Sequence, residues 1–462
     1  MEHDPSIFWT RQFLSVSKNF KKNTKYISGI FVAFNTNMDA IEHITPDFLK
    51  LMDIEQFRPK KGVTEINSLD DFKTGLIGSM RLGKAMEWVI DDMSTYNHLL
   101  DSINYDSYRI GGQAGIVANV LSHLGMKKIT VYNPKLSEAE ADMYDPEVQA
   151  FKVSKTQTKK IKAKDAFSRH DTPKINLIFE YSKGLKIKTE DESFIIPRTN
   201  RFIVSYRPKG REPFFDDLCA DNLKLMTKGV NRAFLSGYQY LSTDAEFFKA
   251  KVQLGLLRHA NKKMKTHFEF TSEEDLKKVS KIIKYILPEV DSLGCNERET
   301  CILLNAMGEK DLADKIRDSG YGAKELYDGM RFIKIKTGLR RIHTHNINFM
   351  LCLTDKDYAS PKLTRDALMF SVESAFAKSI KGFIHHAVDI SFGDDVPVNQ
   401  EGLKQIKLMD RHLLNKLGDG IYSVGKSYLV MVPTKLGGHA KVTVGLGDTV
   451  SSTAFVGDQE LN

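Results

Sequence analysis

The feature that most constrains this chain is a recurring unit: a short apolar run, then turn residues, then a helix-like stretch. Ile30-Phe-Val-Ala-Phe34, Ile129-Thr-Val-Tyr132, Arg232-Ala-Phe-Leu-Ser236, Thr266-His-Phe-Glu-Phe270 and Ser427-Tyr-Leu-Val-Met-Val432 are all such runs. A strand apolar on both faces needs cover on both faces, so the alternation predicts a parallel sheet between helices, an α/β fold. Residues 115–125 space their apolar side chains like a buried helix closed by a glycine. The interval 160–206 differs. Ile175-Asn-Leu-Ile-Phe-Glu-Tyr181 and Gly184-Leu-Lys-Ile-Lys188 read as an antiparallel hairpin turning at a Lys-Gly corner, with Arg201-Phe-Ile-Val-Ser205 as its neighbour. The expectation is a strand-rich insertion in an α/β body, which suits a chain of 462 residues.

Charge narrows the function. Lys and Arg number 67 against 59 Asp and Glu, a mild excess of +8 that suits small anionic substrates such as phosphates. No long basic tract with interleaved aromatics points to nucleic acid. No apolar run reaches the roughly 18 residues of a membrane span, and no basic stretch leads into an apolar core at the start. The expectation is therefore a cytoplasmic protein without a secretory signal. Cys219, Cys295, Cys301 and Cys352 are scattered without a C-x-x-C pair and read as reduced, buried thiols.

The strongest local signal is Thr443-Val-Gly-Leu-Gly-Asp-Thr449 before Val450-Ser-Ser-Thr-Ala-Phe455. A glycine turn that opens a helix aims free N–H groups at one point, with the positive end of the helix dipole behind them. Gly445 and Gly447 would form such an anion hole, with Asp448 beside it to take a proton from an attacking hydroxyl. The competing reading makes Asp448 a helix N-cap. Asn35-Thr-Asn-Met-Asp-Ala-Ile41 follows the first strand, where Asn37 and Asp39 either bind paired hydroxyls or build a turn. Gly111, Gly112 and Gln113 open the helix after Arg109-Ile110, as a ligand-approach turn or a packing turn. His267 and Glu269 share a strand face and Asn296 and Glu299 share a helix side, either as water-mediated Mg²⁺ residues or as ordinary core and surface groups.

Taken in order, Asn37-Met-Asp39, Gly111-Gly-Gln113, Asn200-Arg-Phe-Ile203, His267-Phe-Glu269, Asn296-Glu-Arg-Glu299, His343-Thr344 and Gly445-Leu-Gly-Asp448 resemble the archaeal ADP-dependent sugar kinases. These are the phosphofructokinases and glucokinases of the ribokinase-like superfamily, and the likeness runs from about residue 28 to 458. The resemblance implies a three-layer α/β/α large domain (1–35, 111–160 and 207–462) and a smaller β-rich lid (36–110 and 161–206). It also implies the site: Asp448 as base, Gly445 to Gly447 as anion hole, and Arg201 on a phosphate of nucleotide or sugar. Glu269, Glu299 and Asn296 would serve Mg²⁺ through water. Asn37, Asp39, Gly112 and Gln113 would hold sugar hydroxyls, and His343, Thr344, Val432 and Pro433 would wall the adenine and ribose pocket. ADP as donor, AMP as product and a place in glycolysis come from the resemblance alone; no spacing in the sequence separates ADP from ATP.

The acceptor divides the family. Glu87 matches a lid glutamate that holds glucose, or is a surface glutamate; Asn176 stands where glucokinases tend to carry histidine. Lys174, Arg198 and Arg201 offer charge for a sugar phosphate. The reading favours fructose 6-phosphate with glucose as a second acceptor. An ATP-dependent ribokinase-like kinase and a non-catalytic sensor are the competitors.

Overall fold

The computed structural model describes residues 4–271, 273–438, 441–442 and 444–458. A twelve-stranded sheet forms the body. Its spatial order is Lys416–Gly418, Ile421–Val424, Ser427–Pro433, Phe349–Asp355, Arg341–His345, Ser292–Asn296, Lys265–Glu269, Val230–Leu235, Gly29–Ala33, Ile129–Tyr132, Gln149–Val153 and Thr158–Lys162. The seven strands from Arg341–His345 to Gln149–Val153 are mutually parallel, and antiparallel strands extend both edges. Helices Gln113–His123, Pro361–Lys381 and Leu446–Gly457 cover one face; Asp244–Ala260, Glu297–Ala306, Ala323–Thr337 and Gln400–His412 lie on the other. This is an α/β architecture of three layers.

Leu446–Gly457 is buried from Thr449 onward, and its small residues let it approach the long helix closely. A Cβ on Gly457 would lie 3.1 Å from that of Ala367. Outside both packs the helix Pro5–Asn23. Its Trp9, Phe13, Val16 and Phe20 recur at helical spacing and are buried, and Phe20 stacks on Phe370 at 4.1 Å.

A second sheet, ordered Met86–Ile90, Asn200–Tyr206, Ile175–Tyr181, Asn37–His43 and Ser107–Gly111, has its own apolar core. Alternation divides its residues between two faces. Met38, Ala40, Leu177, Phe179, Phe202 and Val204 pack into that core under helices Leu69–Leu82 and Met93–Ser102. The opposite face carries Asn37, Asp39, Asn176, Glu180, Arg201 and Glu87.

Two strand expectations are corrected. The strand Gly29–Ala33 is followed not by a helix but by Asn37–His43, so the chain leaves the large sheet directly for the small one. The hairpin across Gly184 does not form: Ile175–Tyr181 pairs antiparallel with Asn200–Tyr206, while Lys186–Lys188 pairs with Ser193–Ile195. Nearly every residue of Ile175–Tyr181 is buried, so it needs long neighbours on both sides; in Lys186–Lys188 only Ile187 is buried.

Candidate functional site

The site gathers at the carboxyl ends of the parallel strands, where open α/β sheets place their ligands. Gly445 holds the glycine turn at φ 67°, and a Cβ there would stand 2.9 Å from both Ile116 Cδ1 and Lys378 Nζ. The left-handed backbone there favours glycine. Gly445 is itself the N-cap, and the helix's first backbone bond is Thr449 N–H to its carbonyl at 3.1 Å. The N–H groups of Leu446, Gly447 and Asp448 therefore lie ahead of the hydrogen-bond ladder. Asp448 is not the cap; it stands half-buried in the first turn. Burial raises its pKa, opposed first by the Lys378 ammonium, then by a Gln113 hydrogen bond and by Arg201. Thr443, which begins this motif in the sequence, lies outside the described residues.

Gln113 begins the helix that faces this turn. Gly112 caps that helix at φ 71°, and a Cβ on Gly111 would meet Asn37 Nδ2 and Asp39 Oδ1 at 2.3 Å. A Cβ on Gly112 would meet the Asn35 carbonyl at 2.5 Å, so the two glycines let this turn lie directly against Asn35, Asn37 and Asp39. Gln113 Nε2 donates to the Glu269 carbonyl at 3.3 Å, and its buried Oε1 has no partner among the described residues.

Across the cleft, Asn37 and Asp39 sit within a strand, neither in a turn nor at a cap. Asn37 Nδ2 donates to Asp39 Oδ1 at 2.6 Å. Burial pushes the Asp39 carboxyl up to about 7, against Asn37, Lys174 and Arg201. Asn176 lies in register with Asp39 and accepts from the Tyr206 N–H at 3.3 Å. Arg201 is half-buried; burial lowers its pKa, with Glu180 and Asp39 opposing. Its charge lowers the pKa of both Asp39 and Asp448. Glu87 is exposed and pairs with Arg207 at 3.7 Å. Arg198 is not brought to this group. It is exposed beside Gly83, and at 3.3 Å per residue it stands roughly 20 Å along the strand direction from the row of Asp39.

Four residues of the cleft carry no motif signal. Lys174 Nζ donates to Asn35 Oδ1 at 3.1 Å and stands 4.5 Å over the Tyr240 ring, which Arg207 also meets at 5.0 Å. Burial lowers the Lys174 pKa to about 8, with Glu87 opposing. The fourth is Lys378, on the long helix Pro361–Lys381. Of these only Lys174 was flagged in the sequence, and by charge alone.

The acidic pairs fall nearby. His267 Nε2 lies 3.1 Å from Glu269 Oε2, and its Nδ1 lies 2.8 Å from Ser292 Oγ. Burial raises the Glu269 pKa well above the carboxylate range, and the charges of Asp448 and Glu299 raise it further. Asn296 and Glu299 form a reciprocal capping box at the start of Glu297–Ala306, so Glu299 is a buried capping group and not part of a solvated face. Glu269 therefore lies close to both Asp448 and Glu299. Among the described residues no three His, Cys, Asp or Glu side chains are placed to hold a metal ion directly.

The nucleotide wall is corrected. His343, Thr344 and Val432 are completely buried within the large sheet, Pro433 is buried beside Gly402, and both ring nitrogens of His343 lack partners among the described residues. Interior positions of a covered strand offer no surface to a ligand. The group at the strand's open end is His345, whose Nε2 lies 3.3 Å from where a Gly447 Cβ would stand.

Residues 28–457 match the conserved region of ADP-specific phosphofructokinase/glucokinase. The chain is 31% identical over 97% of its length to the ADP-specific phosphofructokinase of Methanosarcina acetivorans, covering 96% of that protein. It is 28% identical to the ADP-dependent glucose/glucosamine kinase of Pyrococcus abyssi, over 98% of this chain and 99% of that one. It also superposes on a solved ADP-dependent kinase in complex with fructose 6-phosphate and ADPβS, with a TM-score of 0.85 and 31% identity over 97% of each chain.

Proposed function

The chain belongs to the ADP-specific phosphofructokinase/glucokinase family, and on that premise we propose that it transfers the β-phosphoryl group of ADP to fructose 6-phosphate, giving AMP and fructose 1,6-bisphosphate in cytoplasmic glycolysis. The observation that carries this reading is Asp448, half-buried in the first turn behind the Gly445 bend, with the charges of Lys378 and of Arg201 from the other sheet acting on it. The sugar hydroxyl oxygen forms a bond to the β-phosphorus as the bond from that phosphorus to the bridging oxygen breaks. Asp448 takes the hydroxyl proton, and the amides at the helix start meet the charge on the transferring group. The raised pKa of Asp448 makes it a better proton acceptor than an exposed carboxylate. When bound, Mg²⁺ would neutralise the diphosphate; Glu269 and Glu299 would hold its water shell.

Asn37, Asp39, Gln113 and Asn176 are proposed to orient sugar hydroxyls. Lys174 and Arg207, flanking Tyr240, are proposed to hold the 6-phosphate. The five-stranded sheet would act as a lid that excludes water as a competing nucleophile. A second acceptor, glucose, is supported by Glu87, which stands free enough to accept from a hydroxyl once its long contact with Arg207 yields. A coupled assay crossing ADP and ATP with fructose 6-phosphate and glucose tests the whole reading. Turnover with ADP and fructose 6-phosphate is expected to dominate; activity with ATP alone would overturn it.

A further inference from the structure

Lys378 enters the site from the flank, near the end of helix Pro361–Lys381, with 8% of its surface exposed. Its Nζ donates to the Gly445 carbonyl at 3.0 Å and to Thr449 Oγ1 at 3.2 Å. The same carbonyl accepts from the Thr449 N–H at 3.1 Å and from the Thr449 hydroxyl at 2.8 Å. An oxygen with two lone pairs that meets three donors has little orientational freedom. In a trans peptide the carbonyl and the next N–H point opposite ways. Fixing the Gly445 carbonyl therefore fixes the Leu446 N–H, the first free donor of the helix. A buried ammonium is costly unless it is partnered. Here the cost is offset by those acceptors and by the nearby Asp448 carboxylate.

We propose that Lys378 is a positioning residue for phosphoryl transfer: its ammonium locks the Gly445 peptide so that the Leu446 amide faces the transferring group, and it keeps Asp448 anionic and oriented as base. This rests on reading Asp448 as that base. The charged and polar groups that bear on Asp448 are Lys378, Gln113 and Arg201, with Glu269 coupled to it from the neighbouring strand. Among those holding its pKa down, Lys378 acts most strongly. Lys378 in turn is drawn down to about 8 by burial, with Asp448 and Asp39 opposing and Arg109 assisting. Removing the ammonium must raise the pKa of Asp448, which a purely packing role would not do.

The test compares Lys378→Met, Lys378→Gln and Lys378→Arg in the full chain, with folding checked by circular dichroism. Lys378→Met is expected to lower kcat by about 30-fold or more, leave the fructose 6-phosphate KM within about threefold, and move the acid limb of kcat, read at saturating sugar, up by about half a pH unit or more. Lys378→Arg is expected to return that limb toward its wild-type position. If the methionine variant does not fold, the acid limb of the glutamine variant decides in the same way. A kcat within about threefold of wild type, or a fall in kcat with an unmoved acid limb, overturns the proposal. Asp448→Asn, run alongside, separates the two failures: if it keeps turnover, the reading of Asp448 fails, whereas if it is inactive and Lys378→Met is unaffected, only the inference about Lys378 fails.

Discussion

The two sheets meet at one cleft but present chemistry to it in different ways. The large sheet offers the ends of its strands and the first turns of two helices, so its contribution comes from backbone amides and a few side chains set by glycine turns: Gly445 and Asp448, Gly112 and Gln113. The small sheet offers a face. Asn37, Asp39, Asn176, Arg201 and Glu87 reach the cleft because strand pairing aligns every second residue. Ends of elements suit a reaction that needs dipoles aimed at one phosphorus; a face suits a sugar with several hydroxyls to match. On the proposed function, the large sheet would carry the chemical step and the small one the choice of acceptor.

The sharpest way to break this division is Asp448→Asn, for which kcat should fall by about 10²- to 10⁴-fold in a steady-state assay. A loss expressed mainly in KM would place Asp448 with the recognition residues instead. Lys174→Met should raise the fructose 6-phosphate KM by about tenfold or more and leave the glucose KM nearly unchanged, since only the former carries a phosphate. Equal effects on both sugars would remove Lys174 from the phosphate site.

The acidity of Asp39 gives a gentler probe. With its pKa raised to about 7, the carboxylate proposed to accept sugar hydroxyl bonds is present above that pH and protonated below it. The sugar KM should therefore rise as pH falls through about 7, and Asp39→Asn should flatten that dependence. A pH-independent KM in the wild type would count against the assignment. The smallest expected effect belongs to Glu299→Gln: activity reduced several-fold at low Mg²⁺ and partly restored at high Mg²⁺, read from a metal titration. An unchanged metal dependence would leave Glu299 as a capping residue alone.

What the sequence made legible follows the same contrast. Glycine turns are local, so Gly445-Leu-Gly-Asp448 and Gly111-Gly-Gln113 could be read as helix openings before any contact was known, and the structure has helices starting at Leu446 and Gln113. The α/β body was legible from its apolar runs. Pairing was not. The partner of Ile175–Tyr181 is chosen by length and burial, which a local Lys-Gly corner cannot report. Depth was equally hidden: His343 and Thr344 look like ligand-facing polar residues in a string of letters, yet sit inside a covered strand. Lys378 and Arg207 had no local signature, because each acts through a neighbour far away in the chain.

The division of labour is tested most directly by calorimetric binding of fructose 6-phosphate to folded Asp448→Asn. The account expects an affinity within about threefold of wild type alongside abolished turnover, because a proton acceptor used only in the transition state adds little to ground-state binding. An affinity lost together with turnover would contradict it, making Asp448 part of the sugar's cradle and not the base that activates its hydroxyl.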